Sequence, residues 1–298
     1  MAPTVNVAVP RKGRPLEAVL NRVAERAGGH AVEVADDVSS TLRYEKALTK
    51  DNEEDPRGVY ERLAAYADAD DPRAPDYTVL RDARPGFPRR VVFDAVTFEL
   101  DGVDLQLVGR EEPFRALRTH EFALGFDSAD LVLEEVVSLE PEPLGSIAEL
   151  NDRIDPQDTD VRVVTGLVDT VQHTLLATPE VAPPGELDRD FVAAYEGPCC
   201  ISPRYERLVE AVLGTDACEG LSFTYPGDRE EEAAIADAGL GVYLTVTGST
   251  AREYGLRVGE HLFPSETVLL ENEEETTEAT DRVREALAES VEDSALTV

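Results

Sequence analysis

Hydrophobic and polar positions alternate at the start of the chain. In "VNVAVP" (5–10), Val5, Val7 and Val9 fall on every second position, which predicts a strand. The basic turn "RKGR" (11–14) follows, and Pro15 suits the first turn of a helix. Leu16, Val19, Leu20, Val23 and Ala27 then recur at helical spacing until Gly28-Gly29 ends the run. Strand, short loop and helix make the opening unit of an α/β sheet. A second helix is expected from Asp55-Pro56, with Val59, Leu63 and Tyr66 on its inner face. "YTVLRD" (77–82) and "VDLQLVG" (103–109) read as buried strands, and the apolar run "ADLVLEEVV" (129–137) reads as another.

The pattern loosens over about 139–195, where "LEPEPLGS" and "TPEVAPPGELDRD" supply proline-rich punctuation. Within it, "VRVVTGLVDTVQHTLLA" (161–177) reads as a strand entering a helix. Regular alternation returns in "GLSFTYPG" (220–227), a strand, followed by the helical "DREEEAAIADAG" and the strand "GVYLTVTG". "STAREYGLRVGEHL" opens a helix and "ETVLLEN" is a strand. "TTEATDRVREALAESV" closes as an amphipathic helix with Val283, Ala286, Leu287 and Val291 inward.

Charge changes the picture of the surroundings more than of the chemistry. The 298 residues carry 62 Asp+Glu against 28 Lys+Arg, a formal net charge of −34. The only lysines are Lys12, Lys46 and Lys50, so the cations are nearly all arginine. Such a surface repels phosphodiester backbones, which argues against a nucleic-acid partner. The periodic segments and 42% hydrophobic content argue for a folded chain with solvated acidic faces. That combination suits a halophile's cytoplasm, where molar salt screens charges over about 3 Å. Cys199, Cys200 and Cys218 form no metal-binding spacing and read as buried thiols. No signal peptide or apolar run of membrane-spanning length is present, so no membrane association and a cytoplasmic location are expected.

Three loops carry candidate chemistry. In "TVTGSTARE" (245–253), Gly248 permits close approach of the backbone, and Thr247, Ser249 and Thr250 add hydroxyls where a helix begins. That arrangement is either an anion cradle or a turn with a capping hydroxyl. "PRKGRP" (10–15) places Lys12 and Arg14 on the first strand-to-helix turn, where α/β folds bind ligands, or else is a solvated turn. "LRDARPGFPRR" (80–90), with Arg81, has the same character. Together they would suit a polyanionic nucleotide or sugar phosphate. Glu230, Glu231, Glu232 and Asp237 share the helix before the "TGST" strand, in a composition where such acids are ordinarily solvated. His30, His120, His173 and His261 fit no metal-ligand spacing.

In their order, these segments resemble the ATP phosphoribosyltransferase family, the first enzyme of histidine biosynthesis. "VNVAVPRKGRPLEAVLNRVAERAG" is similar to the family's opening strand, Lys-Gly-Arg turn and helix. "VLRDARPGFPRRV", "DGVDLQLVGREE" and "LGFDSADLVL" resemble its next segments, and "VTGSTAREYGL" followed by "SETVLLEN" resembles its phosphate-loop signature and the strand after it. These cover about half the chain. Tyr243 stands where the family has an acid, Gly239 where it has a second, with Asp237 nearby as a substitute. Tyr254 replaces an asparagine and Gln106 a glycine, whereas Glu230 and Gly227 match a Gly-x-x-Glu pattern.

The resemblance implies an α/β, two-lobed architecture of the periplasmic-binding-protein type (type II) with mixed, mostly parallel sheets. Residues 1–118 and 262–298 are expected to form one lobe and 119–261 the other, which carries the "TGST" loop and an insertion or divergent stretch at about 139–198. It implies the short form lacking a C-terminal regulatory domain, as a homo-oligomer or with a separate regulatory subunit. It also implies Mg2+-dependent transfer from 5-phosphoribosyl diphosphate (PRPP) to ATP. Thr247, Gly248, Ser249 and Thr250 would take the 5-phosphate, Glu230 the ribose hydroxyls with Asp237 in support, and Lys12, Arg14 and Arg81 the pyrophosphate or the ATP phosphates. The alternative is a non-catalytic paralogue that binds a nucleotide or phosphosugar as a sensor or regulatory subunit, which the Tyr243 and Gly239 departures favour.

Overall fold

The computed structural model describes residues 2–49, 52–68, 70–81, 90–168 and 171–288. In chain order the first elements are β1 (Thr4–Pro10), α1 (Gly13–Ala27), α2 (His30–Thr49), α3 (Val59–Tyr66), β2 (Asp76–Leu80), β3 (Arg90–Leu100), β4 (Val103–Arg110), α4 (Pro113–Arg118) and β5 (Leu124–Ser128). Then come α5 (Ala129–Val136), β6 (Val161–Gly166), β7 (Val171–Ala177), α6 (Arg189–Ala193), β8 (Gly197–Cys200), α7 (Glu206–Leu213) and α8 (Thr215–Cys218). The chain continues with β9 (Leu221–Thr224), α9 (Glu231–Ala238), β10 (Leu240–Thr245), α10 (Ser249–Glu253), β11 (Arg257–Ser265), β12 (Thr267–Asn272) and α11 (Glu278–Ala288). No helix among the described residues is long and apolar enough to cross a membrane.

The strands form two sheets, ordered β2-β3-β4-β1-β5-β12-β6 and β11-β7-β10-β8-β9. Both are mixed. Parallel pairs join β4, β1 and β5 in the first sheet and β10, β8 and β9 in the second. Antiparallel pairs join β2, β3 and β4, join β6 to β12, and place β7 between β10 and β11.

The contacts divide the chain into two compact units. The first contains 1–127, 160–167 and 267–298; the second contains 128–159 and 168–266. This differs from the expected boundaries because β5 pairs with β1 and holds the chain in the first unit through Asp127, while β6 pairs with β12 and draws 160–167 back. Residues 139–198 supply β6 to one sheet and the strand at the middle of the antiparallel half of the other, β7.

In the first unit α1 buries Leu16, Val19, Leu20 and Val23, as its spacing predicts. They meet Val5, Val7 and Val9 of β1, Leu105 and Leu107 of β4, and Val283 and Leu287 of α11 in one core. In the second unit Ala234 and Ile235 of α9 pack with Ala251, Leu256, Leu176 and Cys200.

Several elements depart from the sequence expectations for identifiable reasons. Residues 129–136 are a helix, since Ser128 caps it by accepting the Asp130 N–H at 3.3 Å, and Ala129, Val132, Leu133 and Val136 are buried at helical spacing. The segment 161–177 is two strands, not a strand and a helix. The helix expected from Asp55-Pro56 begins only at Val59, and the 20-residue α2 before it was not anticipated. The strand β3 was not anticipated either. The helix after "TGST" stops at Glu253, and the chain re-enters the sheet at Arg257.

Candidate functional site

Two of the candidate loops, after β1 and β10, open at the carboxyl ends of strands with a parallel neighbour, the position where α/β folds bind ligands, whereas Arg81 follows β2, which pairs antiparallel with β3. In the second unit β8, β9 and β10 run parallel, and Glu230 follows β9 while Thr247–Thr250 follow β10. The "TGST" and Glu230 loops thus emerge from one edge of one sheet.

The turn itself is built around Gly248. It adopts the left-handed conformation, φ 67° and ψ 17°, and caps the short α10. A Cβ there would come within 2.7 Å of Val258 Cγ2, so both backbone and space require glycine. Thr247, Ser249 and Thr250 are exposed. The Thr247 hydroxyl donates to Ser249 Oγ at 3.1 Å and accepts the Ser249 N–H at 3.4 Å. Arg252, which sequence reading passed over, reaches back and donates from Nη1 to the Thr247 carbonyl oxygen at 2.9 Å. Its position five residues beyond Thr247, one helical turn and a fraction on, was the available signal.

Beneath the turn, a row of polar side chains ties β10 to its neighbours. Thr174 Oγ1 lies 2.6 Å from Thr245 Oγ1 and 2.8 Å from His261 Nδ1, crossing β10, β7 and β11. Alongside it, buried Asp130 accepts from Ser265 Oγ at 2.7 Å and lies 3.1 Å from His173 Nε2. Hydrogen-bonded groups in the interior cost little and fix the strand end from which the turn springs.

Glu230 is exposed and occupies the cap position of α9. The carboxylate oxygens of Glu230, Glu231 and Glu232 lie within 4.8 Å of one another, a set of hard oxygen donors that could hold a divalent cation. Tyr243 stands beside Glu231, and its hydroxyl pKa is pushed up by burial and by the three nearby carboxylates. Asp237, a candidate in the sequence, is turned to Arg229 at 2.6 Å on the exposed face of α9. Gly239 has φ 95°, and a Cβ there would meet Val181 Cγ2 at 2.7 Å, so no acid fits at that position.

In the first unit Lys12 is half-buried at the cap of α1, and Arg14 is exposed in its first turn, which contains no acid. Cations at a helix N-terminus oppose the helix dipole. Lys12 Nζ lies 3.8 Å from Glu111 Oε2, itself at the carboxyl end of β4. Neighbouring Arg11 is structural, donating to the Gly109 carbonyl at 3.2 Å and meeting Asp94 at 3.5 Å. Arg81 is exposed just past β2, and the rest of its candidate loop, 82–89, lies outside the described residues.

A family model described as halobacterial ATP phosphoribosyltransferase matches residues 1–298. The chain belongs to this family. Among solved structures, the ATP phosphoribosyl transferase (HisG:HisZ) complex from Thermotoga maritima is 13% identical over 95% of this chain and 98% of its own, at a TM-score of 0.40. YhfZ from Shigella flexneri is 10% identical over 63% of this chain and 72% of its own, at 0.39. An ancestral arginine-binding protein bound to arginine is 9% identical over 65% and 77%, at 0.36. No curated protein matches the chain. Within this family member, the "TGST" turn with Arg252 and the Glu230–Glu232 group share one sheet edge, while Lys12, Arg14 and Arg81 belong to the other unit.

Proposed function

We propose that this member of the ATP phosphoribosyltransferase family transfers the phosphoribosyl group of PRPP to ATP. The carrying observation is the "TGST" turn. A glycine-dependent loop presents the exposed hydroxyls of Thr247, Ser249 and Thr250 at the carboxyl end of β10, with Arg252 fixed beside them. Amides, hydroxyls and a guanidinium at one turn suit a phosphate monoester, the 5-phosphate of PRPP. Glu230 would accept hydrogen bonds from the ribose hydroxyls, and Lys12, Arg14 and Arg81 would meet the pyrophosphate or the ATP phosphates.

In the reaction, the adenine N1 of ATP forms a bond to the ribose anomeric carbon as the bond to pyrophosphate breaks. No covalent enzyme intermediate is required, so the side chains act by positioning and by stabilising charge. Magnesium supplies charge neutralisation on the leaving pyrophosphate when bound, and Glu230, Glu231 and Glu232 offer oxygen donors of the kind it takes. The reading includes a cytoplasmic enzyme working as a homo-oligomer or with a separate regulatory subunit.

The non-catalytic paralogue remains the second reading, because Gly239 has no room for an acid and Asp237 is engaged by Arg229. Calorimetric titration of PRPP with magnesium in molar KCl tests the shared part. Ser249→Glu is the suitable variant, since it adds a carboxylate at an exposed position, whereas any side chain at residue 248 would also strain the turn and strike Val258. Binding by the wild type and its loss in a folded Ser249→Glu supports the phosphate reading; absence of wild-type binding overturns both readings.

A further inference from the structure

A cavity of about 580 Å3 lies wholly within the second unit, between the loop 183–187 and the start of β11. Pro184, Leu187, Leu256 and Val258 supply its apolar wall. Its charged lining consists of Arg252, Arg257 and Glu260. Glu260 is already neutralised, because Arg189 forms an ion pair with it and also donates its N–H to Oε2 at 3.0 Å.

The two arginines are differently placed. Each donates one Nη1 hydrogen bond to a backbone carbonyl, Arg252 to Thr247 and Arg257 to Ala182, which fixes the plane of its guanidinium. Neither forms an ion pair with a carboxylate among the described residues. Apart from the Arg189-paired Glu260 the cavity has no acid in its lining, so its two arginines leave positive charge there in a chain whose acids outnumber Lys+Arg by 62 to 28. Planar guanidinium groups pair bidentately with carboxylate and phosphate. The volume falls in the range of small-molecule sites, and the apolar wall suits an uncharged body attached to the anion.

We propose that this cavity binds a small amphipathic anion, a carboxylate or phosphate monoester on an apolar body, at a site that adjoins the "TGST" turn without including its hydroxyls. Arg257 pairs in the sheet with Ala177, which also pairs with Leu240, so its backbone is level with the start of β10, whereas the turn follows the end of that strand. Two residues nevertheless join cavity and turn. Arg252 holds the Thr247 carbonyl, and Val258 occupies the space a side chain at residue 248 would need. An anion that draws on the Arg252 guanidinium therefore changes the turn's affinity for phosphate; this coupling rests on the phosphate reading of the turn, whereas binding in the cavity does not.

The test titrates the full chain in molar KCl with phenyl phosphate, benzoate and the uncharged benzyl alcohol, followed by ligand-detected NMR. The expected result is one saturable site for phenyl phosphate or benzoate that is not occupied by benzyl alcohol. The tighter of the two anions identifies the preferred head group. Binding should weaken at least tenfold in Arg257→Met, and likewise in Pro184→Glu, which puts a competing carboxylate on the exposed rim without touching the Ala182 contact. Absence of saturable binding by either anion, equal binding of benzyl alcohol, or affinity unchanged in folded Pro184→Glu overturns the site. PRPP affinity measured with and without the tighter anion should differ at least threefold, and equal values would overturn the coupling. A failure of PRPP to bind at all would overturn the phosphate reading while leaving the cavity titration intact.

Discussion

At the scale of single residues, the chain spends its few cations carefully. Glu45 is 1% exposed, and Arg62 meets it through Nε at 2.7 Å and Nη2 at 2.9 Å, while the Tyr66 hydroxyl donates to Oε1 at 2.8 Å. That three-way contact ties α2 to α3. Arg62→Met strands a buried carboxylate and is expected to destabilise the fold by about 3–5 kcal/mol, measured by denaturant unfolding in molar KCl. Replacing both partners, as Glu45→Leu with Arg62→Met, should recover most of that loss. Buried thiols carry a second prediction. Burial raises Cys199 and Cys218 to about 12, from an ordinary 9.0. The unfolded chain loses these protons at a lower pH than the folded one, so their contribution is intact below about 9 and disappears as pH rises through about 12. Thermal midpoints should fall across that alkaline window, and Cys218→Ala should flatten the decline.

At the scale of elements, legibility followed periodicity. β1, α1 and α11 were readable because their apolar residues recur at the spacing of the element they form, and the described ones pack in the core, Val291 lying outside the described residues. The helix α5 was misread because "ADLVLEEVV" was read as a short apolar run, although Ala129, Val132, Leu133 and Val136 recur at helical spacing and Ser128 stands at the cap. Ser128→Ala should cost about 1 kcal/mol, read from the same denaturant curves, because it removes that cap. α2 escaped notice since its inner face mixes Ala31, Ala35, Val38, Val34 and Leu42 with the polar Ser39 and Glu45, a weak pattern that tertiary packing makes sufficient. For the site, the turn was legible in "TGST" because glycine and hydroxyl residues advertise a tight, polar loop. Arg252 was not, since its contact depends on side-chain direction at the end of a short helix, and Glu230, Glu231 and Glu232 were seen together but read as solvated charges, since the convergence of their carboxylates is a matter of geometry. The position of Gly239 shows the same limit: its φ and its Val181 neighbour, not its sequence context, rule out an acid.

At the scale of the whole molecule, the net charge of −34 is distributed over two units that each fold around their own sheet. Repulsion among the carboxylates opposes folding unless salt screens it. Lowering KCl from molar to tenth-molar should reduce the thermal midpoint by at least about 5 °C, and an unchanged midpoint would mean that local pairing already compensates the charge. Lys12, Arg14 and Arg81 belong to the first unit, and the "TGST" turn and Glu230–Glu232 belong to the second. The most direct measurement is pyrophosphate release from PRPP by the full chain in molar KCl, with and without ATP, in wild type and Ser249→Glu. The account predicts ATP-dependent release by the wild type and a loss of at least about 100-fold in the folded variant, as expected for misplaced positioning groups. PRPP binding without any ATP-dependent release would contradict the catalytic claim and leave a sensor in its place.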